Sequence, residues 1–230
     1  MSDPGLPGCG LRERLDGVRS AIAAAAASAG RDAGEITTIV VTKFHPVSLI
    51  EELAALGVSD VGESRHQEAQ AKAEALAGLG LTWHFVGQVQ RKKAKQIRAY
   101  SDVIHSVDRP SLADALGSDS RVVDCFVQVN LTADPARGGV DPLDLDPLVE
   151  CVLATPGLRL LGLMAVAPLG VEPRRAFARV RELGEHTRLL APDARFLSMG
   201  MSQDYPDAII EGATHLRIGT AITGNRPVPG

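Results

Sequence analysis

The sequence predicts an α/β protein folded as one (β/α)8 barrel, a TIM barrel, with an extra helix at its N-terminal end. Three observations carry this. Short β-branched apolar runs alternate with longer stretches of helical pattern, and eight such runs occur in 230 residues. The runs lack polar/apolar alternation, as strands do when a parallel sheet is covered on both faces. Eight strand–helix units in this length fit a closed barrel with right-handed crossovers. The competing architecture, an open doubly wound sheet, lacks its dinucleotide fingerprint, because no G-x-G-x-x-G follows the first run.

The opening MSDPGLPGCG, residues 1–10, holds one acid, two prolines and three glycines. It is expected to be a flexible tail, not a signal or transit peptide, ahead of a single domain over 11–230. An alanine-rich helix is expected over 11–29. The first strand, ITTIVVT (36–42), has β-branched Ile39, Val40 and Val41, and Pro46 ends the run. The helical PVSLIEELAALG (46–57) closes on glycine, a usual helix stop. VSDVG (58–62) is the second strand and RHQEAQAKAEALAG (65–78) the helix after it. LTWHFVG (81–87) precedes the basic RKKAKQIRAY (91–100), and DVIHSV (102–107) precedes PSLADALG (110–117). The fifth strand, VDCFVQVN (123–130), leads into a long surface loop over 132–144 and then PLDLDPLVECVLATPG (142–157). LRLLGLMAV (158–166) pairs with EPRRAFARVRELGEHTRLL (172–190), and ARFLSMG (194–200) with DYPDAIIEGA (204–213). THLRIG (214–219) is the eighth strand.

Composition narrows the function. The net charge of −4 provides no global basic field for nucleic acid or an anionic membrane. No apolar run reaches the roughly 18 residues that a membrane span needs. The three cysteines, Cys9, Cys125 and Cys151, are too few and too scattered for a disulfide framework or a zinc site, which suits a reducing cytoplasm. Five lysines (43, 72, 92, 93, 95) stand against nineteen arginines. Lysine forms Schiff bases and arginine does not, so a lysine directly after a core strand is a candidate for carbonyl chemistry. The others, Lys72 included, read as surface lysines.

Strand C-terminal ends converge on one face of a barrel. Here they bring Lys43, Ser64, Ser198, Ser202, Arg217, Gly219 and Thr220 toward one mouth. The loops after strands 7 and 8, SMGMS and RIGT, offer hydroxyls, glycines and an arginine, which suits a phosphate. A lysine with a phosphate cradle describes a site for a phosphorylated carbonyl compound, of which pyridoxal 5'-phosphate (PLP) is the commonest cofactor. His84 and His105 lie inside strands and read as hydrogen-bonded barrel histidines with no metal.

VTKFHP, DVGESRHQEA, WHFVGQVQRKKA, IHSVD and LSMGMSQDYPDAIIEGATHLRIGTAITG together resemble the YggS/PROSC family of pyridoxal phosphate homeostasis proteins. The resemblance runs from about 36 to 224 in the same order. It implies a barrel of the alanine racemase N-terminal type, without that enzyme's C-terminal domain, holding PLP as a Schiff base on Lys43. It also implies a phosphate cradle of Ser198, Ser202, Gly219 and Thr220, with Arg217 facing the pyridine nitrogen. Two positions depart from the family pattern: Ser64 stands where GEN has asparagine, and Lys93 replaces another asparagine.

An arginine keeps its proton, so a ring nitrogen beside it stays unprotonated and the ring is a poor electron sink. Racemisation needs a second acid/base opposite the lysine. Alanine racemase takes it from a domain this chain lacks, and Tyr100 and Tyr205 are its only tyrosines. The expected function is therefore PLP binding for vitamin B6 homeostasis by a cytoplasmic monomer with no catalytic residue, handing cofactor to apo PLP-dependent enzymes. A weak PLP-dependent racemase is the alternative, and an aldolase-type Schiff base on Lys43 the third reading.

Overall fold

The computed structural model describes residues 10–132, 134 and 137–225. In chain order the elements are α1 (Leu11–Ser28), β1 (Thr37–Val41), α2 (Val47–Ala55), β2 (Asp60–Glu63), α3 (His66–Ala75), β3 (Thr82–Phe85), α4 (Ala94–Tyr100) and β4 (Val103–Val107). They continue with α5 (Pro110–Leu116), β5 (Val123–Gln128), α6 (Leu145–Ala154), β6 (Leu158–Met164), α7 (Pro173–Leu190), β7 (Phe196–Met201), α8 (Tyr205–Ile210), β8 (His215–Ile218) and α9 (Thr220–Thr223). The strands pair in sequence order and β8 returns to β1, closing the barrel. The closing seam sets Ile39 opposite Arg217 and Val40 opposite Ile218.

Both faces of each strand are buried, which is why the sequence shows no alternation. Outward residues such as Val40, Val61, Phe85, Ile104, Val127, Leu163 and Leu216 join the apolar layer beneath the helices. Inside the ring, Val103, Phe126 and Met164 form a separate small cluster. Each helix contributes an apolar stripe to the outer layer. In α7 the stripe is Ala176, Phe177, Val180, Leu183, Gly184 and Thr187 at three- and four-residue spacing, and Pro173 opens the helix without losing a needed N–H. The extra helix α1 buries Leu11, Leu15, Val18, Ile22 and Ala26 and packs on α8 and α9. Arg14 Nε donates to the Ile222 carbonyl of α9 at 2.7 Å. Arg31 reaches the carbonyls of Ile209 and Ala213.

The expected elements recur with their ends shifted, most informatively in β2 and β5. The second strand lies at 60–63 instead of 58–62. Val58 is held by the end of α2, its N–H donating to Leu53 O, whereas Glu63 stays in the strand with a buried carboxylate. The fifth strand ends at Gln128, and Val129 makes an isolated bridge to Val140. Of the loop over 132–144, residues 133, 135 and 136 lie outside the described residues, and Pro142–Asp144 forms a 3-10 turn. The expected tail likewise lies outside them, Cys9 included, except for Gly10, whose carbonyl accepts the Arg14 N–H at the start of α1. Cys125 and Cys151 are free thiols. No helix among the described residues is long and apolar enough to cross a membrane.

Gly162 permits the β6–β7 contact. Its φ is 153°, and a Cβ there would lie 1.8 Å from the Phe196 carbonyl oxygen. Gly162→Ala is expected to destabilise the fold by about 2 kcal/mol or more, lowering Tm by about 4 °C or more in a thermal melt. Gly78→Ala, with nothing within 4 Å of its Cβ, serves as the unshifted control.

Candidate functional site at the barrel mouth

Lys43 is exposed and lies two residues beyond the end of β1. It sits in a tight turn in which His45 N–H donates to Thr42 O at 3.1 Å. The next residue, Phe44, has φ 71°, a left-handed conformation that costs a bulky residue free energy. Groups on Glu68 and Arg65 hold it there. Its N–H donates to Glu68 Oε1 at 2.6 Å, and the Arg65 guanidinium lies 5.2 Å from its ring centroid.

Beneath the turn is a buried charge cluster. Lys72 is not a surface lysine, as the sequence suggested, but only 4% exposed. Its ammonium donates to Glu63 Oε1 at 2.7 Å, Glu68 Oε1 at 2.7 Å and Thr42 O at 2.9 Å. Thr42 Oγ1 donates to the same Glu63 oxygen at 2.8 Å. A buried ammonium is tolerable when all its donors are met, and here they bind the residue before Lys43 and the carboxylate that holds the residue after it. Burial raises the Glu63 pKa, with the Lys72 and Thr42 hydrogen bonds opposing that shift. The pattern Glu68–Lys72 looks like a solvated i,i+4 helix pair. The signal that could have exposed it is Glu63, a carboxylate at the end of an apolar strand that needs a partner.

Arg217 lies within the barrel, 5% exposed. It donates to Ser198 Oγ at 2.7 Å and to Ala165 O at 2.9 Å, and its remaining N–H groups have no hydrogen-bond partner among the described residues. Burial lowers its pKa to about 10, Asp204 opposing, so it stays protonated at pH 7. The structure does not place Ser198 beside Ser202. Its hydroxyl is fully buried and occupied by Arg217 and by His105 Nδ1 at 2.8 Å. Ser202 instead takes the long N–H contacts of Gly219 and Ala221, at 3.3 and 3.5 Å, where α9 begins. Thr220 is exposed beside them.

Ser64 is half-buried, its hydroxyl makes no hydrogen bond among the described residues, and its backbone abuts Gly87 so closely that a Cβ at 87 would lie 2.2 Å from Ser64 O. A cleft of about 300 Å³ opens beside this, between the ends of β3, β5 and β6, with Gln88, Gln128, Asn130 and Arg137 among its lining residues. Lys93 lies in the 3-10 turn Arg91–Lys93 before α4. His84 and His105 are buried and hydrogen-bonded, in keeping with their position in the sequence.

The chain matches the family model described as alanine racemase, N-terminal domain, over residues 17–227. It is 40% identical over 209 residues to a pyridoxal phosphate homeostasis protein of Corynebacterium glutamicum, covering 86% of this chain and 94% of that one. The chain belongs to the YggS/PROSC family of pyridoxal phosphate homeostasis proteins. A family member from Pseudomonas aeruginosa is 39% identical, with 94% of this chain and 96% of that one covered. Among solved structures, PipY of Synechococcus elongatus PCC7942, with PLP bound, superposes with a TM-score of 0.81 at 36% identity, covering 94% of this chain and all of that one. Alanine racemase from Corynebacterium glutamicum shares the fold at 18% identity, with a TM-score of 0.68 over 94% of this chain and 62% of the enzyme.

Lys72→Met leaves Glu63 and Glu68 without their buried cation, and is expected to cost about 3 kcal/mol at pH 7. The folded-state pKa of Glu63 is already raised, so protonation favours the folded state. Loss of Lys72 raises it further. The deficit against wild type is therefore largest above the raised pKa and shrinks as pH falls toward the ordinary carboxylate value. Urea unfolding of both proteins at pH 5 and pH 7 measures the difference.

Proposed function

We propose that this protein binds PLP at the barrel mouth, holds the cofactor covalently as a Schiff base on Lys43, and serves as an intracellular holder of it. In this reading it acts as a cytoplasmic monomer and passes PLP to apo PLP-dependent enzymes. The observation that carries the proposal is the position of Lys43. Its side chain is exposed just past the end of β1, while the backbone on both sides is tied down by the Lys72–Glu63–Glu68 cluster. The support from relatives is PipY, solved with PLP bound.

The surrounding groups fit the cofactor. Arg217 has buried N–H groups to offer an acceptor that carries no proton of its own, as an unprotonated pyridine nitrogen does. The Gly219 and Ala221 amides contact Ser202 at the long limit of hydrogen bonding and suit a phosphate oxygen better. Among the described residues no atom forbids a side chain at Gly219, whose Cβ would meet Val41 at an ordinary 3.7 Å. Glycine there suits a ligand lying against the backbone. The cofactor supplies an aldehyde carbon that bonds to a primary amine with loss of water. The chain's part is to present the Lys43 amine, grip the phosphate with Ser202, Gly219 and Thr220, and keep the proton on Arg217.

In this reading the protein holds the cofactor without sustained turnover. Tyr100 and Tyr205 both pack against the apolar core, and burial raises the pKa of Tyr100. Neither is presented as a second acid/base to work opposite Lys43.

Adding PLP is expected to produce a visible absorption band that Lys43→Ala abolishes, and borohydride treatment should trap the cofactor on the Lys43 peptide. Trapping spread over Lys92, Lys93 and Lys95 would refute the assignment. Pyridoxal without phosphate is expected to bind at least about tenfold more weakly, measured by fluorescence titration, through loss of charge-assisted hydrogen bonds.

A further inference from the structure

A line of hydrogen bonds crosses the inside of the barrel. Arg217 donates to Ser198 Oγ at 2.7 Å, Ser198 meets His105 Nδ1 at 2.8 Å, His105 Nε2 meets His84 Nδ1 at 2.9 Å, and His84 Nε2 meets Asp60 Oδ1 at 3.0 Å. His105 is on β4 and Ser198 on β7, which are not neighbours in the sheet, so this bond spans the interior. Asp60 begins β2, whereas Lys43 follows the end of β1; the line therefore runs from the base of the barrel toward the mouth.

The two ends dictate the direction of every bond between them. Guanidinium can only donate, and a carboxylate can only accept. Asp60 requires His84 to carry its proton on Nε2, which leaves His84 Nδ1 as an acceptor. His105 must then donate from Nε2 and accept at Nδ1, from the Ser198 hydroxyl. Ser198 Oγ is left to accept from Arg217. The order holds only while both imidazoles are neutral. Complete burial depresses the His105 pKa well below its usual value, and the Arg217 charge lowers it further. His215, the nearby histidine on β8, is itself lowered to about 4, chiefly by burial, and its Nδ1 is engaged with Thr214 Oγ1 at 2.9 Å outside the line. Phe126 stacks on His105 with ring centroids 4.6 Å apart and holds the imidazole plane.

We infer that Asp60, His84, His105 and Ser198 are positioning residues, a one-way hydrogen-bond relay that orients the Arg217 guanidinium for the cofactor ring. This rests on the proposed PLP site. It adds that residues at the base of the barrel set the affinity of the mouth.

The relay order is read first in the cofactor-free protein, by NMR of 15N-labelled histidine at pH 7. Both His84 and His105 are expected as neutral Nε2–H tautomers. An Nδ1–H tautomer or a charged imidazole at either position overturns the relay. Affinity for PLP is then measured for Asp60→Ala, which removes the acceptor, for Ser198→Ala and for the double variant. Each single change is expected to weaken binding about three- to tenfold, the range of one hydrogen bond. The double variant is expected to be no weaker than Ser198→Ala, because the line is already cut. Additive losses, or an unchanged affinity in Asp60→Ala, also overturn it. Ser198→Thr, which keeps the hydroxyl, is expected to restore binding, and a structural defect alone would not follow that pattern. If the wild-type protein did not take up PLP, the proposed function would fall and with it the relay's assigned task, while the histidine tautomers would still report the order.

Discussion

The Lys72 ammonium, buried among Glu63, Glu68 and the Thr42 carbonyl, is the interaction on which the mouth of this barrel depends. It links β2, α3 and the turn after β1, so three separate elements share one charge. Such clusters contribute little net stability, because desolvation offsets much of the attraction. Their value lies in geometry. A strand end is the place where backbone would otherwise fray, and here it carries a left-handed Phe44. With both flanks tied to one buried cation, Lys43 is left as an exposed side chain on a rigid support.

The interior of the ring solves a different problem. Many barrels fill this space with branched aliphatic side chains. Here an apolar cluster of Val103, Phe126 and Met164 shares it with imidazoles, a hydroxyl and a guanidinium. Buried polar groups are costly when unmatched and specific when matched. The line from Asp60 to Arg217 is matched at every step, so it fixes a unique arrangement of the guanidinium where aliphatic packing would fix only a shape. The opposite charges at its ends polarise the neutral groups between them in the same sense.

The alternation of β-branched runs and helices made the eightfold architecture legible, and Lys43 stood out because its strand reads as uninterrupted core. That Ser202 lies against the chain at Gly219 was legible in the same way, since strand ends in a barrel necessarily share a face. What could not be read depends on register around the ring. Ser198 and Ser202 are four residues apart in the sequence, yet the first faces inward to His105 and the second faces the amides of α9. Lys72 was hidden by its helix, whose polar composition resembles a solvated face. Only the buried Glu63, nine residues earlier on another element, changes that. The ladder of His84 and His105 joins residues separated by 21 positions and was invisible until the strands were aligned.

The first helix grips the last. Arg14 of α1 holds the Ile222 carbonyl, one residue from the Ala221 amide that contacts Ser202, while Lys43 depends on a cluster drawn from β2 and α3. The two halves of the site thus lean mainly on different contacts, although Arg19 of α1 also donates to the Leu56 and Gly57 carbonyls ahead of β2. A cleavage or fusion that disturbs the amino-terminal helix would loosen the Ser202–α9 contacts before the Lys72 cluster, so under the proposed function the grip on phosphate would suffer ahead of the amine.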